Sequence, residues 1–133
     1  MKVLSIKEPY ATLIKEKKKF IETRSWKTSY RGELYIHASC KKIKTNDKLI
    51  IELLKLIPDI PLGYGNIICK CQLVDCIYMD QAFLNKIQNN KQEFLCGGFS
   101  LGRYAWILEN IEPLDNPISI KGHLNIWNYE PNS

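Results

Sequence analysis

The spacing of apolar residues predicts short strands interrupted by a few short helices. Residues 2–6 alternate as a strand, and Tyr10, Leu13 and Ile14 then recur at the i, i+3, i+4 spacing of a helix that packs on a core. Pro9 precedes them, where a proline fits the first helical turn. The remaining predicted elements are strands over 20–26, 33–39, 67–78 and 104–111, helices over 45–57 and 80–87, and one or two short strands within 118–129.

Two segments between these elements are predicted to be irregular. Residues 58–66 (PDIPLGYGN) are dense in Pro and Gly, and residues 88–92 (QNNKQ) with 96–98 (CGG) predict a flexible connection. Five or six short strands with two or three helices, without regular strand–helix–strand alternation, predict the α+β class. We expect a small mixed-sheet barrel flanked by helices. With 133 residues, the chain has the size of a single domain over 1–133.

Composition restricts the class of protein further. The apolar fraction of 45% and the charged fraction of 25% are typical of a soluble globular protein. No apolar run approaches the roughly 20 residues of a membrane helix, and the N-terminus meets charge too early for a signal peptide. A cytoplasmic protein without membrane contact is expected. The five cysteines are an odd number, which predicts reduced thiols rather than a disulfide framework.

The charge balance weakly favours a polyanionic partner. The net charge is +5, from 16 Lys and 3 Arg against 14 acidic residues. Abundant Lys, with 18 Ile and 10 Asn, is also what an AT-rich genome imposes on any protein surface. Each of the three arginines, Arg24, Arg31 and Arg103, is therefore more informative than a single lysine.

The sequence predicts no metal site and no cofactor. Cys69 and Cys71 share one face of a strand, but zinc sites favour a longer spacer and a second ligand pair. We therefore predict that both are small core residues beside Leu73. Cys96 stands alone before two glycines, without a local base that would make it a nucleophile. The segments GYG and CGGFSLG lack the context of a phosphate-binding loop.

His37 and Ser39 lie on the same face of the predicted strand over 33–39. A hydrolase would also need an oriented third group and an oxyanion site, which the sequence does not supply. Hydrogen-bonded polar residues at a strand end are therefore the favoured interpretation. Because a pocket is expected nearby, both residues remain candidate ligand contacts.

The strand over 20–26 carries the most informative pattern. Phe20, Glu22, Arg24 and Trp26 share one face, so a carboxylate and a guanidinium stand between two aromatic side chains that should face inward. One interpretation is a salt bridge at the rim of the sheet. The other is the floor of a polar pocket, where the ion pair and an aromatic wall suit a splayed nucleobase. Residue chemistry alone favours the salt bridge somewhat.

The order of several segments resembles the ASCH domain of the PUA-like superfamily. LSIKEPYATLI, KFIETRSW and YRGELYIHAS follow its strand with S-x-x-x-P, its helix, its K-x-x-E-x-R-x-W motif and its Tyr/His-Arg-Gly turn. GYGNIICKCQLVDCIYMDQAF is similar to a glycine-led strand that ends in V/I-D-C. ISIKGHLNIWNY is similar to the closing motif I-K-G-x-x-x-I-W. The resemblance spans nearly the whole chain.

The resemblance implies a small barrel with helices on one side and a cleft beside the first helix. PUA-like domains commonly recognise RNA or modified nucleosides, so the same ligand class is implied here. Joined with the candidates above, the expected ligand-binding residues are Ser5, Lys7, Tyr10, Lys19, Glu22, Arg24, Trp26, His37, Ser39 and Lys121.

The chain also departs from the family pattern. Glu8-Pro9-Tyr10 stands where Gln-Pro-Trp is frequent, and Lys17 stands where Gly is frequent. Tyr10 can still stack on a base, whereas Glu8 disfavours phosphate contact. Some small ASCH proteins are amidohydrolases of N4-acetylcytidine that use a Lys, a Thr three residues later and a distant Glu. Lys19 matches the Lys, Glu22 occupies the Thr position, and the distant Glu has no convincing equivalent.

Three functions therefore compete. The first is a binding module for single-stranded RNA or a nucleotide-like ligand, with lysines of 15–19 and 41–44 near the phosphate backbone. The second is an amidohydrolase or ribonuclease in which Lys19 is nucleophile or base and Glu22 is its catalytic neighbour. The third is a non-catalytic interaction domain of transcription-coactivator type, with a protein partner in transcription or translation. We rank them in this order.

Overall fold

The computed structural model describes residues 1–131, which form six strands and four helices. In chain order these are β1 Lys2–Ile6, α1 Tyr10–Lys15, β2 Ile21–Arg24, β3 Gly32–Ala38, α2 Lys48–Leu54, β4 Asn66–Tyr78, α3 Gln81–Ile87, α4 Lys91–Leu95, β5 Tyr104–Ser119 and β6 Ile126–Asn128. None of these four helices in 1–131 has the length and apolar character needed to cross a membrane.

The strands form one mixed sheet in the order β2-β5-β4-β3-β1-β6. β1 and β3 are parallel, and the other neighbours are antiparallel. The sheet curls into a half-barrel that stays open, because within residues 1–131 the end strands β2 and β6 do not pair with each other. The predicted α+β class with a mixed, barrel-like sheet is confirmed.

The core fills the concave side of this sheet and is covered by α1. Leu4 and Ile6 of β1, Ile14 of α1 and Trp106 of β5 are all buried in it. Cys69 and Cys71 of β4 are buried in the same cluster, so their prediction as core residues is confirmed. Burial raises the pKa of both thiols, that of Cys71 to about 12. All five cysteines are free thiols.

α2 and α3 lie within the predicted helices over 45–57 and 80–87, and each begins at a side-chain cap. The Asp47 carboxylate accepts hydrogen bonds from the backbone N–H groups of Leu49 and Ile50, and it begins α2. Asp80 accepts from the N–H of Phe83 at 2.8 Å and begins α3. In both cases the cap satisfies backbone N–H groups that have no partner within the helix.

The predicted connection over 88–92 and 96–98 missed α4, which begins at Lys91 and occupies the last two residues of the first segment. The Asn90 side chain accepts from the N–H of Glu93 at 3.2 Å and caps this helix. No apolar stripe marks α4, because the one buried residue of this helix is Glu93. Its partners, the N–H groups of Phe20 and Ile21, are more than seventy residues away in sequence.

β5 is longer than the predicted strand over 104–111. It continues through Pro113 and Pro117 to Ser119, although a proline lacks the N–H group of a regular ladder. Its pairing with β4 shifts register between Ile67 and Cys69, and at two further positions along the ladder. These irregularities accommodate residues that would otherwise interrupt a strand.

β2 is shorter than the predicted strand, and its ends differ from expectation. Phe20 is 43% exposed, so the prediction that it faces inward is wrong. β2 begins only at Ile21, where pairing with Ile107 of β5 starts. Trp26 lies beyond the strand and packs edge-to-face on the buried Trp106, with 4.7 Å between ring centroids.

Candidate functional site

A cleft of about 420 Å³ opens where β1 ends and α1 begins. Its walls come from four parts of the chain: the β1–α1 connection, the end of α1 with β2, the loop after α4, and the start of β5. The lining residues are Ser5, Ile6, Lys7, Tyr10, Lys19, Glu22, Thr23, Arg24, Cys96, Gly97, Gly98 and Arg103. Six of the ten expected ligand-binding residues are in this set.

Lys19 forms the floor of the cleft, and only 1% of its surface is exposed. Its Nζ donates to the backbone carbonyl of Ile21 and, at 2.7 Å, to that of Cys96. Glu22 Oε1 lies 3.7 Å from the same nitrogen. The ammonium therefore has two carbonyl acceptors and one carboxylate in ion-pair range. Lys19 thus ties the loop after α4 to β2.

Glu22 and Arg24 form an ion pair along β2 at the inner wall. Glu22 Oε2 accepts from Arg24 Nε at 3.0 Å and lies 2.9 Å from Arg24 Nη2. Arg24 Nη2 also donates to the backbone carbonyl of Ser5 at 3.0 Å. The Glu22 carboxylate is buried while the guanidinium is partly exposed. The pair is therefore a salt bridge within one strand, and it also lines the cleft.

Tyr10 supplies the aromatic wall. Its ring centroid lies 5.7 Å from Lys19 Nζ, within cation–π range. Burial raises the pKa of the phenol, and the neighbouring acidic groups of Cys96, Asp47 and Glu22 raise it further. The phenol consequently keeps its proton at neutral pH and presents both an O–H group and a ring face.

Arg103 forms a second wall that sequence reasoning did not assign to the site. Its Nε donates to the Gly98 carbonyl at 2.8 Å, and its Nη2 donates to the Thr23 carbonyl at 3.3 Å. The Thr23 hydroxyl accepts from the Gly98 N–H at 3.0 Å. In the sequence, the low number of arginines was the one feature that drew attention to Arg103. Its place beside Thr23 follows only from the pairing of β2 with β5.

Glu93 of α4 fixes the start of β2 from behind the cleft. The buried carboxylate accepts from the N–H of Phe20 at 2.8 Å and from that of Ile21 at 3.2 Å. Burial raises the pKa of Glu93, and these hydrogen bonds and the charge of Lys19 partly offset that effect. Since β2 carries Glu22 and Arg24, this contact positions both of them.

Glu8 is not in the cleft lining, although it lies only two residues before the start of α1. Its buried carboxylate accepts from the Thr12 N–H at 2.8 Å, the Thr12 hydroxyl at 2.5 Å and the Gly63 N–H at 2.7 Å. These bonds join the start of α1 to the loop before β4. The Glu8 carboxylate therefore has a structural role, because these hydrogen bonds all come from groups of the fold.

Four expected ligand-binding residues do not line the cleft. Trp26 borders a separate cavity between the ends of the sheet, with Lys2 and Ile126. Ser39 accepts from the Lys41 N–H at 3.1 Å, and Lys121 is exposed on the closing segment. His37 is buried behind the cleft.

His37 belongs to a closed hydrogen-bond chain that includes Ser5. Its Nε2 lies 2.7 Å from the Ile120 carbonyl, which can only accept, so Nε2 carries the proton. Its Nδ1 then accepts from the Ser5 hydroxyl at 3.0 Å, and that oxygen accepts from Trp127 Nε1 at 3.1 Å. A Cβ on Gly122 would lie 2.7 Å from Ser5 Oγ. The hydroxyl is therefore covered, and Ser5 faces Arg24 with its backbone carbonyl instead.

Comparison with known proteins gives a consistent result. The family model of the ASCH domain matches residues 4–118. Activating signal cointegrator 1 from Homo sapiens is 28% identical over 131 residues. That alignment covers 93% of this chain but 21% of the human protein, so the chain spans a small part of that relative.

Two solved structures share the fold. The crystal structure of ASCH from Zymomonas mobilis superposes with a TM-score of 0.55 at 16% identity, covering 89% of this chain and 72% of that one. The crystal structure of a mutant ZmASCH protein from the same organism gives a TM-score of 0.52 at 15% identity, covering 89% of this chain and 74% of that one. At this identity the likeness concerns the fold alone, which is the PUA-like α+β fold. With the family model matching most of its length, the chain belongs to the ASCH domain family.

Proposed function

We propose that this protein binds single-stranded RNA or a nucleotide-like ligand, with a base held in the cleft beside α1. The observation that carries the proposal is the Glu22–Arg24 pair, a buried carboxylate and a partly exposed guanidinium in one cleft wall. PUA-like domains, the superfamily of this fold, are often RNA-binding.

The chemistry of the wall matches the edge of a base. A carboxylate accepts from ring or exocyclic N–H groups, and a guanidinium donates to ring nitrogens or carbonyl oxygens. The Tyr10 ring offers a stacking face at the same cleft, and base–aromatic stacking contributes about 1–3 kcal/mol per base. Donor, acceptor and stacking surface are therefore within one cavity.

The charge of the lining favours a phosphate on the ligand. Lys7, Lys19, Arg24 and Arg103 carry positive charge in the lining, and Glu22 carries negative charge. Lys7 is exposed at the mouth, where a phosphate can stay partly solvated. Binding should therefore weaken as the salt concentration rises.

Arg24→Ala is the direct test, measured by fluorescence anisotropy with labelled single-stranded RNA at several salt concentrations. Removing a charged hydrogen-bond donor should cost about 1.5–3 kcal/mol, which is roughly a tenfold to hundredfold loss of affinity. Arg31→Ala is the matched control, because Arg31 bonds to Thr28 and Tyr30 away from the cleft. Equal affinity of Arg24→Ala and wild type, or no binding at low salt, contradicts the proposal.

A second candidate function is hydrolysis of an acylated nucleoside or of RNA. It is favoured by the position of Lys19 in the cleft floor, 3.7 Å from Glu22. Against it stand the two carbonyl groups that accept hydrogen bonds from Nζ, because a nucleophilic amine would have to leave them. Turnover of N4-acetylcytidine or RNA that disappears in folded Lys19→Arg supports it. If the protein binds acylated nucleosides or RNA but turns none of them over, the hydrolase is rejected and the binding function remains.

A third candidate is a protein-interaction domain without catalysis. It is favoured by the human relative, whose name describes a cointegrator. Affinity capture with nuclease-treated lysate separates this function from the first, since a partner bridged by RNA is lost on nuclease treatment. A partner that persists, together with no RNA binding by the purified chain, would replace the first proposal by this one.

A further inference from the structure

We infer that the ligand is a nucleic-acid strand longer than one nucleotide, which leaves the cleft over Lys7 and Tyr10 and continues across a basic segment at residues 41–44. This inference rests on the proposed function, and it specifies the ligand and the direction in which it runs. It is carried by a second cavity that adjoins the first.

The second cavity has a volume of about 280 Å³ and lies between the start of α1 and the start of α2. Lys7 and Tyr10 line both cavities, so the two share a wall. A base stacked on Tyr10 in the first cavity would therefore have its neighbour along the strand at the second.

The second cavity is edged by cations that no carboxylate neutralises. Lys7, Lys41, Lys42 and Lys44 line it, and within residues 1–131 no carboxylate oxygen lies within 4.0 Å of their ammonium groups. Its two acidic residues are both engaged with the backbone. Glu8 accepts from Thr12 and Gly63, and Asp47 caps α2. With four lysines against two carboxylates, the lining has the net positive charge that a phosphate backbone requires.

The lysine segment is held in place from both sides. Ser39 accepts from the N–H of Lys41, and the Tyr64 hydroxyl accepts from the N–H of Ile43 at 3.3 Å. Lys42 Nζ lies 3.9 Å from the centroid of the Tyr64 ring, a cation–π contact. Ser39, expected as a ligand contact, thus contributes by shaping the segment that carries the charge.

The other lysine run does not provide such a path. Lys15 pairs with Glu16 at 3.5 Å, and Lys19 is buried in the cleft floor. Lys17 and Lys18 line neither cavity. Of the two basic segments in the sequence, 41–44 is the one that presents exposed lysines at a cavity sharing a wall with the cleft.

The test compares ligands of increasing length. Dissociation constants are measured by calorimetry for the 5′-monophosphate, the trimer and the decamer of adenylate, cytidylate and uridylate. Wild type is compared with Lys41→Gln/Lys42→Gln/Lys44→Gln. The control is Lys17→Gln/Lys27→Gln/Lys86→Gln, which removes the same charge from exposed positions outside both cavities.

We expect the decamer to bind at least tenfold more tightly than the monophosphate. The 41–44 variant should weaken decamer binding about tenfold or more, and it should reduce the slope of log K against log salt by about 2, at about 0.7 per lost phosphate contact. Monophosphate affinity should stay unchanged in that variant. The control variant should change each affinity by no more than about twofold. The deoxy decamer reports whether the path requires the 2′-hydroxyl.

The outcomes separate this inference from the function on which it rests. One outcome is that the monophosphate binds, that Arg24→Ala weakens this binding, and that longer oligomers bind no more tightly. This outcome overturns the strand path but leaves the proposed base-binding site intact. Equal effects of the two triple variants, or displacement of the decamer by an acidic peptide at equal charge, also overturn the path, because the surface is then a general anion surface. No binding of any nucleotide overturns both.

Discussion

Lys19 Nζ lies 3.7 Å from Glu22 Oε1, and both side chains are buried at the floor of the cleft. The same lysine holds the loop after α4 through the Cys96 carbonyl, while Glu22 holds Arg24. The residues that form the candidate site are therefore also part of the framework around it. Variants in the cleft need a stability measurement beside each binding measurement.

Lys19→Met should destabilise the protein strongly. The variant leaves the Ile21 and Cys96 carbonyls without their donor, and it leaves the Glu22 carboxylate with Arg24 as its one remaining cationic partner among residues 1–131. Breaking a buried ion pair in this way costs about 3–5 kcal/mol. Urea unfolding measures the loss. Lys18→Met, at a half-buried neighbour, should change stability by about 0.5 kcal/mol or less, and equal losses in the two variants would contradict the structural role of Lys19.

Lys17→Gly should stabilise the protein. Lys17 has a φ of 60° directly after α1, where its N–H bonds to Ile14 and the N–H of Lys18 bonds to Leu13, as in a Schellman motif. Relief of left-handed strain, less the greater chain entropy of glycine, predicts a gain of about 0.5–1 kcal/mol. The melting temperature should rise by about 2–4 °C.

Lys18→Gly is the control for that gain, because Lys18 is not among the residues with positive φ. Glycine there adds chain entropy without relieving strain, so this variant should be neutral or destabilised. A fall in melting temperature for Lys17→Gly as large as that for Lys18→Gly would contradict the prediction.

Gly122→Ala should disrupt the closing segment. The added Cβ would lie 2.7 Å from His37 Cε1 and from Ser5 Oγ, and neither group can move freely, since His37 is buried and Ser5 is in β1. Overpacking of this kind costs about 1–3 kcal/mol in unfolding free energy. In Gly98→Ala the nearest atoms are 3.4 Å or more from the Cβ, so a smaller loss is expected by the same urea measurement. Equal losses of unfolding free energy in Gly122→Ala and Gly98→Ala would contradict the prediction that the close contacts at His37 and Ser5 destabilise the first variant.

The contribution of Glu93 to stability should fall as the pH rises. Burial raises the pKa of Glu93 in the folded state above its ordinary value of 4.5, so the folded protein binds this proton more tightly than the unfolded chain does. The favourable contribution is complete below the unfolded pKa and disappears as the pH passes upward through the folded pKa. The unfolding free energy of wild type minus that of Glu93→Gln should therefore decrease from pH 4 towards neutrality. A difference that increases over this pH range would contradict a raised pKa of Glu93 in the folded state.

Much of the fold could be predicted from local patterns. The apolar patterns of 2–6 and 67–78 predicted strands, and those of 45–57 and 80–87 predicted helices, and the structure contains all four elements. The site was predicted less completely. Lys19, Glu22 and Arg24 lie within six residues, so the strand period alone brings Glu22 and Arg24 onto one wall. Trp26 shares that period but lies beyond the end of β2, where it packs on Trp106.

The sequence by itself determined the class of the fold, the family, and the group of charged residues in KFIETRSW, because each depends on residues close together in the chain. Only the tertiary structure decided what surrounds that group. The Lys19–Cys96 bond joins residues 77 positions apart, and the Ser5–Trp127 bond joins residues 122 positions apart. Arg103 reaches the cleft, Glu93 reaches the start of β2, and the basic segment at 41–44 reaches the adjoining cavity in the same way. The physical reason is that sheet pairing and core burial, rather than local propensity, bring such distant residues into contact.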